Sequence, residues 1–134
     1  MNREAFNASL HLADRLIRAG EHAEAITAML PWAEVPTVGD FERTILAYNL
    51  AAVFAQTRQV DEAIAWCDWG LESERKLQRT LLAEHRATIL HEAGRREEAI
   101  ATWREVQGSG WLDEEGERRV EANLRVAGEA RTSF

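Results

Sequence analysis

The chain has 134 residues, of which 46% are hydrophobic, and this length and apolar content suit one domain, spanning residues 1–134, with a single continuous core. The formal net charge is −7 and the basic residues are almost all arginines interleaved with glutamates, so we expect no nucleic-acid partner. Cys67 is the single cysteine, and no apolar stretch suits a signal sequence or a membrane span; we expect a cytoplasmic protein without disulfides or a membrane partner.

The spacing of apolar residues predicts helices throughout, because no stretch alternates apolar with polar residues for long. In chain order the predicted helices span about 3–19, 22–34, 40–57, 60–74, 78–93, 96–107 and 112–130. The segment Gly108-Ser109-Gly110 separates the sixth helix from the seventh. The seventh helix is apolar on one face only, as expected for a helix that closes the end of a stack. Such a cap leads us to expect a whole protein rather than a fragment of a longer array.

A short phrase recurs where the second, fourth and sixth predicted helices begin. It reads GEHAEAI at Gly20–Ile26, RQVDEAI at Arg58–Ile64 and GRREEAI at Gly94–Ile100. The Ala-Ile pair that ends each phrase recurs after 38 and then 36 residues. A near-constant period in this range is typical of stacked helical hairpins. We therefore predict three hairpins, made by the first six helices.

Small and large residues recur in register within the three units. The recurring residues are Leu12, Ala13, Leu16, Gly20, Ala25 and Met29 in the first unit, Leu50, Ala51, Phe54, Arg58, Ala63 and Cys67 in the second, and Ala87, Leu90, Gly94, Ala99 and Trp103 in the third. Two helices cross closely only where a small side chain lies at the contact, and large residues fill the gaps around it.

With this pattern, the chain resembles the tetratricopeptide repeat (TPR) family over residues 6–107. The resemblance implies an all-α fold, a right-handed α-α superhelix of three helical hairpins with a seventh capping helix. The repeats would span about 6–39, 44–77 and 80–107, and the capping helix about 112–130.

Some residues depart from the repeat pattern or have no clear place in it. Arg58 stands where the other two units have a turn glycine. Arg86 takes the place of a core leucine, and we expect its stem to pack while its guanidinium reaches an acid or solvent; a buried charge poised for a partner is the alternative. Trp66 and Trp69, one turn apart, either pack against the third unit or form a second contact patch on the convex side.

The resemblance also implies a binding surface. In TPR domains the first helix of each repeat lines a concave groove, at positions that recur along one helical stripe. Carried onto this chain, the stripe predicts the groove residues Leu10, His11, Asp14, Ile17, Ile45, Tyr48, Asn49, Leu81, His85, Thr88 and Glu92. Apolar anchors mixed with polar groups suit a peptide or a helix laid in the groove, and Tyr48 is the expected anchor.

We therefore predict a protein–protein interaction module, or adaptor, that binds a peptide or helix of a partner protein in its concave groove. Two alternatives stay open. One is a small chaperone of the bacterial secretion type, which holds a specific client protein. The other is a homo-oligomeric scaffold, in which a second copy of the chain fills the groove. The seventh helix of the chain is a further candidate for covering the groove.

One subtype of the family can be tested on the sequence. TPR domains that clamp the C-terminal carboxylate of chaperones carry lysine, asparagine and arginine at positions matching Leu10, Asp14, Asn49, Leu81 and His85. Only Asn49 agrees with that set, and Asp14 would repel a carboxylate. We therefore expect no such clamp.

No catalytic or metal-binding motif accompanies the repeats. His11, His85 and His91 fall on the groove stripe, but their spacing does not suit the short bonds of one metal ion. Cys67 falls on a core position and is expected to behave as a small hydrophobe. We therefore expect no cofactor, no metal and no enzymatic activity, although a row of histidines can lend pH sensitivity to binding.

Overall fold

The computed structural model describes the backbone of residues 1–132 and the side chains of residues 1–128. Its helices are α1 Arg3–Arg18, α2 His22–Ala33, α3 Asp40–Gln56, α4 Val60–Lys76, α5 Leu81–Glu92, α6 Arg96–Gly108 and α7 Glu114–Thr132. The described residues contain no strand, and the prediction of an all-helical chain is confirmed. None of the described helices is both long enough and apolar enough to span a bilayer.

The helices pack as three consecutive hairpins, α1 with α2, α3 with α4 and α5 with α6, and α7 packs on α6. Most residues predicted at the helix crossings and in the gaps are at most 2% exposed: Ala13, Ala51 and Ala87 in the first helices, and Ala25, Ala63, Ala99, Met29, Cys67 and Trp103 in the second helices. The prediction was wrong for Leu12, which is 41% exposed on α1. Alanine at these crossings lets two helix backbones approach closely. The larger side chains around the crossings then fill one continuous core.

Each hairpin is closed by the same turn. Gly20, Arg58 and Gly94 have positive φ angles of 79°, 63° and 81°. In each turn this residue donates its N–H to the carbonyl three residues earlier, and the next N–H reaches the carbonyl five residues back. This is the Schellman pattern that ends helices. Glycine adopts the conformation freely, whereas the Cβ of Arg58 is strained there.

The link between α4 and α5 differs from the prediction that a helix begins at residue 78. Gln78 has a φ of 55° and closes a fourth turn of the same kind, so α5 begins three residues later, at Leu81. The buried carboxylate of Glu74 accepts hydrogen bonds from the backbone N–H groups of Leu82 (2.6 Å) and Ala83 (3.0 Å). Burial raises the pKa of Glu74 above its ordinary value, and these two amides oppose the rise. Glu74 therefore caps α5 from the preceding helix.

The closest approach of three helices is at Gly70 of α4. A Cβ atom added to Gly70 would lie 2.5 Å from the Cβ of Ala47 on α3 and 2.8 Å from Cδ2 of Leu82 on α5. Both distances are far shorter than a van der Waals contact between carbon atoms. The absence of a side chain at Gly70 therefore sets how closely α3 and α5 approach α4.

Arg86 of α5 joins two neighbouring helices. Its Nε donates to Oδ1 of Asp68 on α4 (2.8 Å), and one terminal nitrogen donates to the hydroxyl of Thr102 on α6 (2.9 Å). The side chain is 24% exposed, so its charge is paired in a half-buried place. The arginine at a core position therefore reaches an acid, as the sequence led us to expect.

Replacing Arg58 with glycine tests the strain in the second hairpin turn. We expect Arg58→Gly to raise the free energy of unfolding by about 1 kcal/mol, because it relieves a positive φ at a residue with a Cβ. Arg58→Ala, which removes the side chain but keeps the Cβ, is the control and should show no such gain. Urea denaturation followed by circular dichroism measures both, and equal stabilities for the two variants would refute strain at this turn.

Replacing Gly70 with alanine tests the close crossing. We expect Gly70→Ala to lower the free energy of unfolding by about 2 kcal/mol, because the added methyl group forces α3 and α5 away from α4. Gly108→Ala is the matched control, since no atom lies within 4 Å of a Cβ built there. Thermal denaturation of both variants decides the matter; a Gly70→Ala protein as stable as the control would contradict the crossing geometry.

Candidate functional site

The second and third hairpins bring several predicted groove residues together. Ile45, Tyr48 and Asn49 of α3 and Leu81 of α5 line one cavity of about 260 Å³. The cavity lies between the first halves of α3 and α5, beside the turn that follows α4. Its other lining residues are Phe41, Thr44, Glu74, Leu77 and Arg79.

Two large apolar side chains that line this cavity are exposed to solvent. Leu81 is 62% exposed and Phe41 is 49% exposed, although both are large and apolar. Tyr48 and Ile45 are half-buried beside them. An apolar group that entered the cavity would remove this surface from water, which is favourable by roughly 25 cal/mol per Å² of apolar area.

Tyr48 and His85 form one aromatic unit across α3 and α5. Their ring centroids are 4.0 Å apart and their planes differ by 22°, so the rings are stacked. Nε2 of His85 is buried and has no hydrogen-bond partner among the described residues. Burial lowers the pKa of His85 below its ordinary value of 6.5, so the neutral ring is favoured in the folded protein.

Two polar groove residues use their donors within their own helices. The side-chain amide of Asn49 donates to the carbonyl of Ile45 (2.8 Å), and the hydroxyl of Thr88 donates to the carbonyl of Glu84 (3.1 Å). Asn49 therefore still offers to a bound chain its side-chain carbonyl oxygen and the second N–H of its amide. Glu92, at the far end of α5, is exposed.

The first hairpin contributes a more polar part of the stripe. Leu10 and Ile17 are half-buried and pack against the core. His11 and Asp14 are exposed, and Oδ2 of Asp14 lies 3.1 Å from Nε of Arg18. These residues stay on the predicted face of α1 without lining the cavity between α3 and α5.

The seventh helix reaches α5 at one residue of this face. Arg119 of α7 donates to both carboxylate oxygens of Glu84, at 2.7 and 3.1 Å. The hydroxyl of Thr80 donates to the same carboxylate (3.0 Å). This contact covers Glu84, yet it leaves Leu81 exposed, so the part of α7 whose side chains the structure describes, up to residue 128, does not close the cavity.

Five cavity residues were not predicted from the sequence: Phe41, Thr44, Glu74, Leu77 and Arg79. Phe41 lies four residues before Ile45, and extending the helical stripe by one turn would have found it. Leu77 and Arg79 lie in the turn between α4 and α5, where no helical spacing applies. Only the positive φ of Gln78 brings these two side chains to the groove.

The titratable side chains that could ligate a metal are dispersed in the described residues. No group of three or more histidine, cysteine, aspartate or glutamate side chains in this part of the chain is arranged to hold a metal ion. Burial raises the pKa of the Cys67 thiol to about 12, so it stays protonated. Cys67 packs as the small core residue that the repeat pattern predicted.

No protein-family model matches the chain, and no curated protein matches it in sequence. Among solved structures, the first TPR of Spaghetti (RPAP3), bound to the HSP90 peptide SRMEEVD, is similar to this chain. The TM-score is 0.73 at 16% sequence identity, and the match covers 99% of this chain and 100% of that chain. The chain therefore has the fold of a TPR domain, a solenoid of helical hairpins, and this prediction is confirmed.

Replacing His85 with phenylalanine tests the buried ring. Because the pKa of His85 is lower in the folded than in the unfolded protein, the unfolded chain binds more protons, and this site favours unfolding as the pH falls below about 6.5. We expect the free energy of unfolding to fall less in His85→Phe than in the wild type between about pH 7.5 and pH 5.5.

Urea denaturation at several pH values measures this difference. His11→Phe, a change of the same kind at an exposed groove position, is the matched control. A pH dependence that is the same in His85→Phe and in the wild type would show that the ring of His85 is not responsible.

Proposed function

We propose that this chain is a protein-interaction module that binds a segment of a partner protein in the groove along α1, α3 and α5. An apolar side chain of the partner enters the cavity between α3 and α5. The proposal rests on the exposure of Leu81, which is the most exposed large apolar side chain among the described residues. Leu81 and Phe41 both line an apolar cavity of about 260 Å³. Exposed apolar surface of this kind marks interaction sites.

The aromatic stack supports Tyr48 as an anchor in this binding mode. Its ring is held against His85 at 4.0 Å, so little side-chain freedom is lost when a partner packs on it. Aromatic residues in such preorganised places carry much of the binding energy at protein interfaces. The exposed polar side chains of the stripe, His11 and Glu92, are then available to hydrogen bond with the backbone of the bound segment.

The HSP90 peptide of the RPAP3 domain does not transfer to this chain. A carboxylate clamp needs cations at positions where this chain has Leu10, Leu81 and His85, and an asparagine where it has Asp14. Asp14 is negative and is paired with Arg18, while Leu81 lines an apolar cavity. We therefore propose an internal peptide or helix with an exposed apolar side chain, rather than a C-terminal carboxylate, as the bound segment.

An adaptor is the form of this function that we favour, as one unit over residues 1–134 in the cytoplasm, without enzymatic activity and with neither a nucleic-acid nor a membrane partner. A secretion-type chaperone would use the same groove for one client. A homo-oligomeric scaffold would bury Leu81 and Phe41 against a second copy, and the molar mass in solution would then rise with protein concentration. These forms share the cavity and differ in what fills it.

Replacing Leu81 with glutamine tests the groove. Glutamine is close to leucine in size and is a good helix former, so α5 should be retained while the exposed apolar surface is lost. We expect proteins captured from the lysate of the native host by the tagged wild type to be lost with Leu81→Gln, with mass spectrometry as the readout. A loss of at least about tenfold corresponds to the removal of one buried apolar contact.

Leu30→Gln is the matched control, because Leu30 is also exposed (38%) but lies on α2 and does not line the cavity. It should retain the partners that Leu81→Gln loses. Recovery of the same partners with all three proteins would refute the groove. Recovery of only the chain itself with the wild type, together with a mass that depends on concentration, would favour the homo-oligomeric scaffold.

A further inference from the structure

A second and larger cavity lies on the other side of α5, between the second helices α4 and α6. Its volume is about 480 Å³. Leu71 of α4, Ala83 and Arg86 of α5, and Thr102 and Glu105 of α6 are among its lining residues, and Trp111 stands at its edge. It shares only Glu74 and Arg79 with the groove cavity, so the groove function does not account for it.

The internal repeat explains why this cavity exists. The second and third units are 36 residues apart, so Trp66 and Trp69 of α4 correspond to Thr102 and Glu105 of α6. The indole rings of Trp66 and Trp69 meet edge to face, 5.3 Å between centroids, and both pack against the core. In the third unit, Thr102 and Glu105 occupy the corresponding positions, and the cavity lies open beside these smaller side chains.

The charges at this cavity complement an aromatic group with an acid beside it. Three of its four carboxylates are engaged: Asp68 by Arg86, Glu98 by Arg95, and Glu74 by the amides of α5. The fourth, Glu105, is exposed on α6 and forms no ion pair with a side chain that the structure describes. The guanidinium groups of Arg75 and Arg79 form no ion pair with any side chain that the structure describes, although the charge of Arg79 opposes the rise in the pKa of Glu74.

An arginine of this chain already stacks on an indole ring at the corresponding place one repeat earlier. Cζ of Arg43 lies 4.0 Å from the centroid of the Trp69 ring, so Trp69 packs on α3 of its own hairpin. Arg79 follows Arg43 by 36 residues and lines the cavity, and its guanidinium lies 5.6 Å from the ring centroid of Phe41. A guanidinium group over an aromatic face is a favourable contact, because the ring face carries partial negative charge.

We propose that this outer cavity is a second binding site, which takes an aromatic side chain of a partner protein, next to an acidic residue, into the place that Trp66 and Trp69 fill one repeat earlier. The ring packs on Leu71 and Ala83, and the acid meets Arg75 or Arg79. The volume of about 480 Å³ suits an indole group with its neighbouring residues. Such a chain binds through the groove on one side and through this cavity on the other.

The first test uses two acetylated and amidated tripeptides, in which aspartates flank either a tryptophan or a leucine. Each is titrated into the full-length, ¹⁵N-labelled wild type and followed by the amide resonances. We expect the tryptophan peptide to shift the amides of Ala101, Thr102 and Glu105 saturably, with a dissociation constant at least about tenfold lower than that of the leucine peptide. Equal binding of the two peptides, shifts confined to Ile45 and Leu81, or no saturable shift would overturn the proposal.

The second test fills the cavity from within. Glu105→Trp restores the ring that the second unit has at Trp69, and we expect it to weaken binding of the tryptophan peptide by at least about tenfold. Arg104→Trp is the matched control, because Arg104 is exposed on the same helix and does not line the cavity. Unchanged binding to a folded Glu105→Trp protein would overturn the proposal, and the wild-type titration decides it if that variant does not fold.

Leu81→Gln separates this site from the groove. The variant should bind the tryptophan peptide as the wild type does, because Leu81 does not line the outer cavity. Loss of peptide binding in Leu81→Gln would place the peptide in the groove and overturn the second site.

Discussion

The structure depends on close helix crossings at residues with little or no side chain. Ala13, Ala51 and Ala87 let the first helix of each hairpin approach its neighbours, and Gly70 lets α4 lie against both α3 and α5. A side chain of any size at these points would push the backbones apart. The stack of hairpins, and with it both cavities, follows from these contacts.

The groove cavity is a direct consequence of the approach of α3 to α5. Because the two helices share α4 as a neighbour, Tyr48 and His85 come within stacking distance, and Ile45 faces Leu81 across the cavity. Glu74 fixes the start of α5 by capping its first amides. The turn at Gln78 then adds side chains from outside the helices to the rim of the same site.

The second and third units present different side chains on the outer side of the stack. In the second unit, Trp66 and Trp69 pack against the core, and Arg43 stacks on Trp69. Between the second and third units, Arg86 bridges Asp68 and Thr102, and an open volume remains. A repeat protein can build different surfaces from one backbone plan in this way, since each level contacts only its neighbours.

The period of 38 and 36 residues, and the small and large residues that recur with it, determined the helices, the hairpins and the buried positions, because these depend on spacing along the chain. The helical stripe placed Ile45, Tyr48 and Asn49 on one face of α3, which is a local property of a helix. That Leu81 of α5 would join them was implied by the resemblance to TPR domains. The start of α5, the entry of Leu77 and Arg79 into the groove and the partners of Arg86 were decided only in the tertiary structure. Each of these depends on a left-handed turn or a crossing that joins residues from different helices, and no spacing along one helix encodes such a contact.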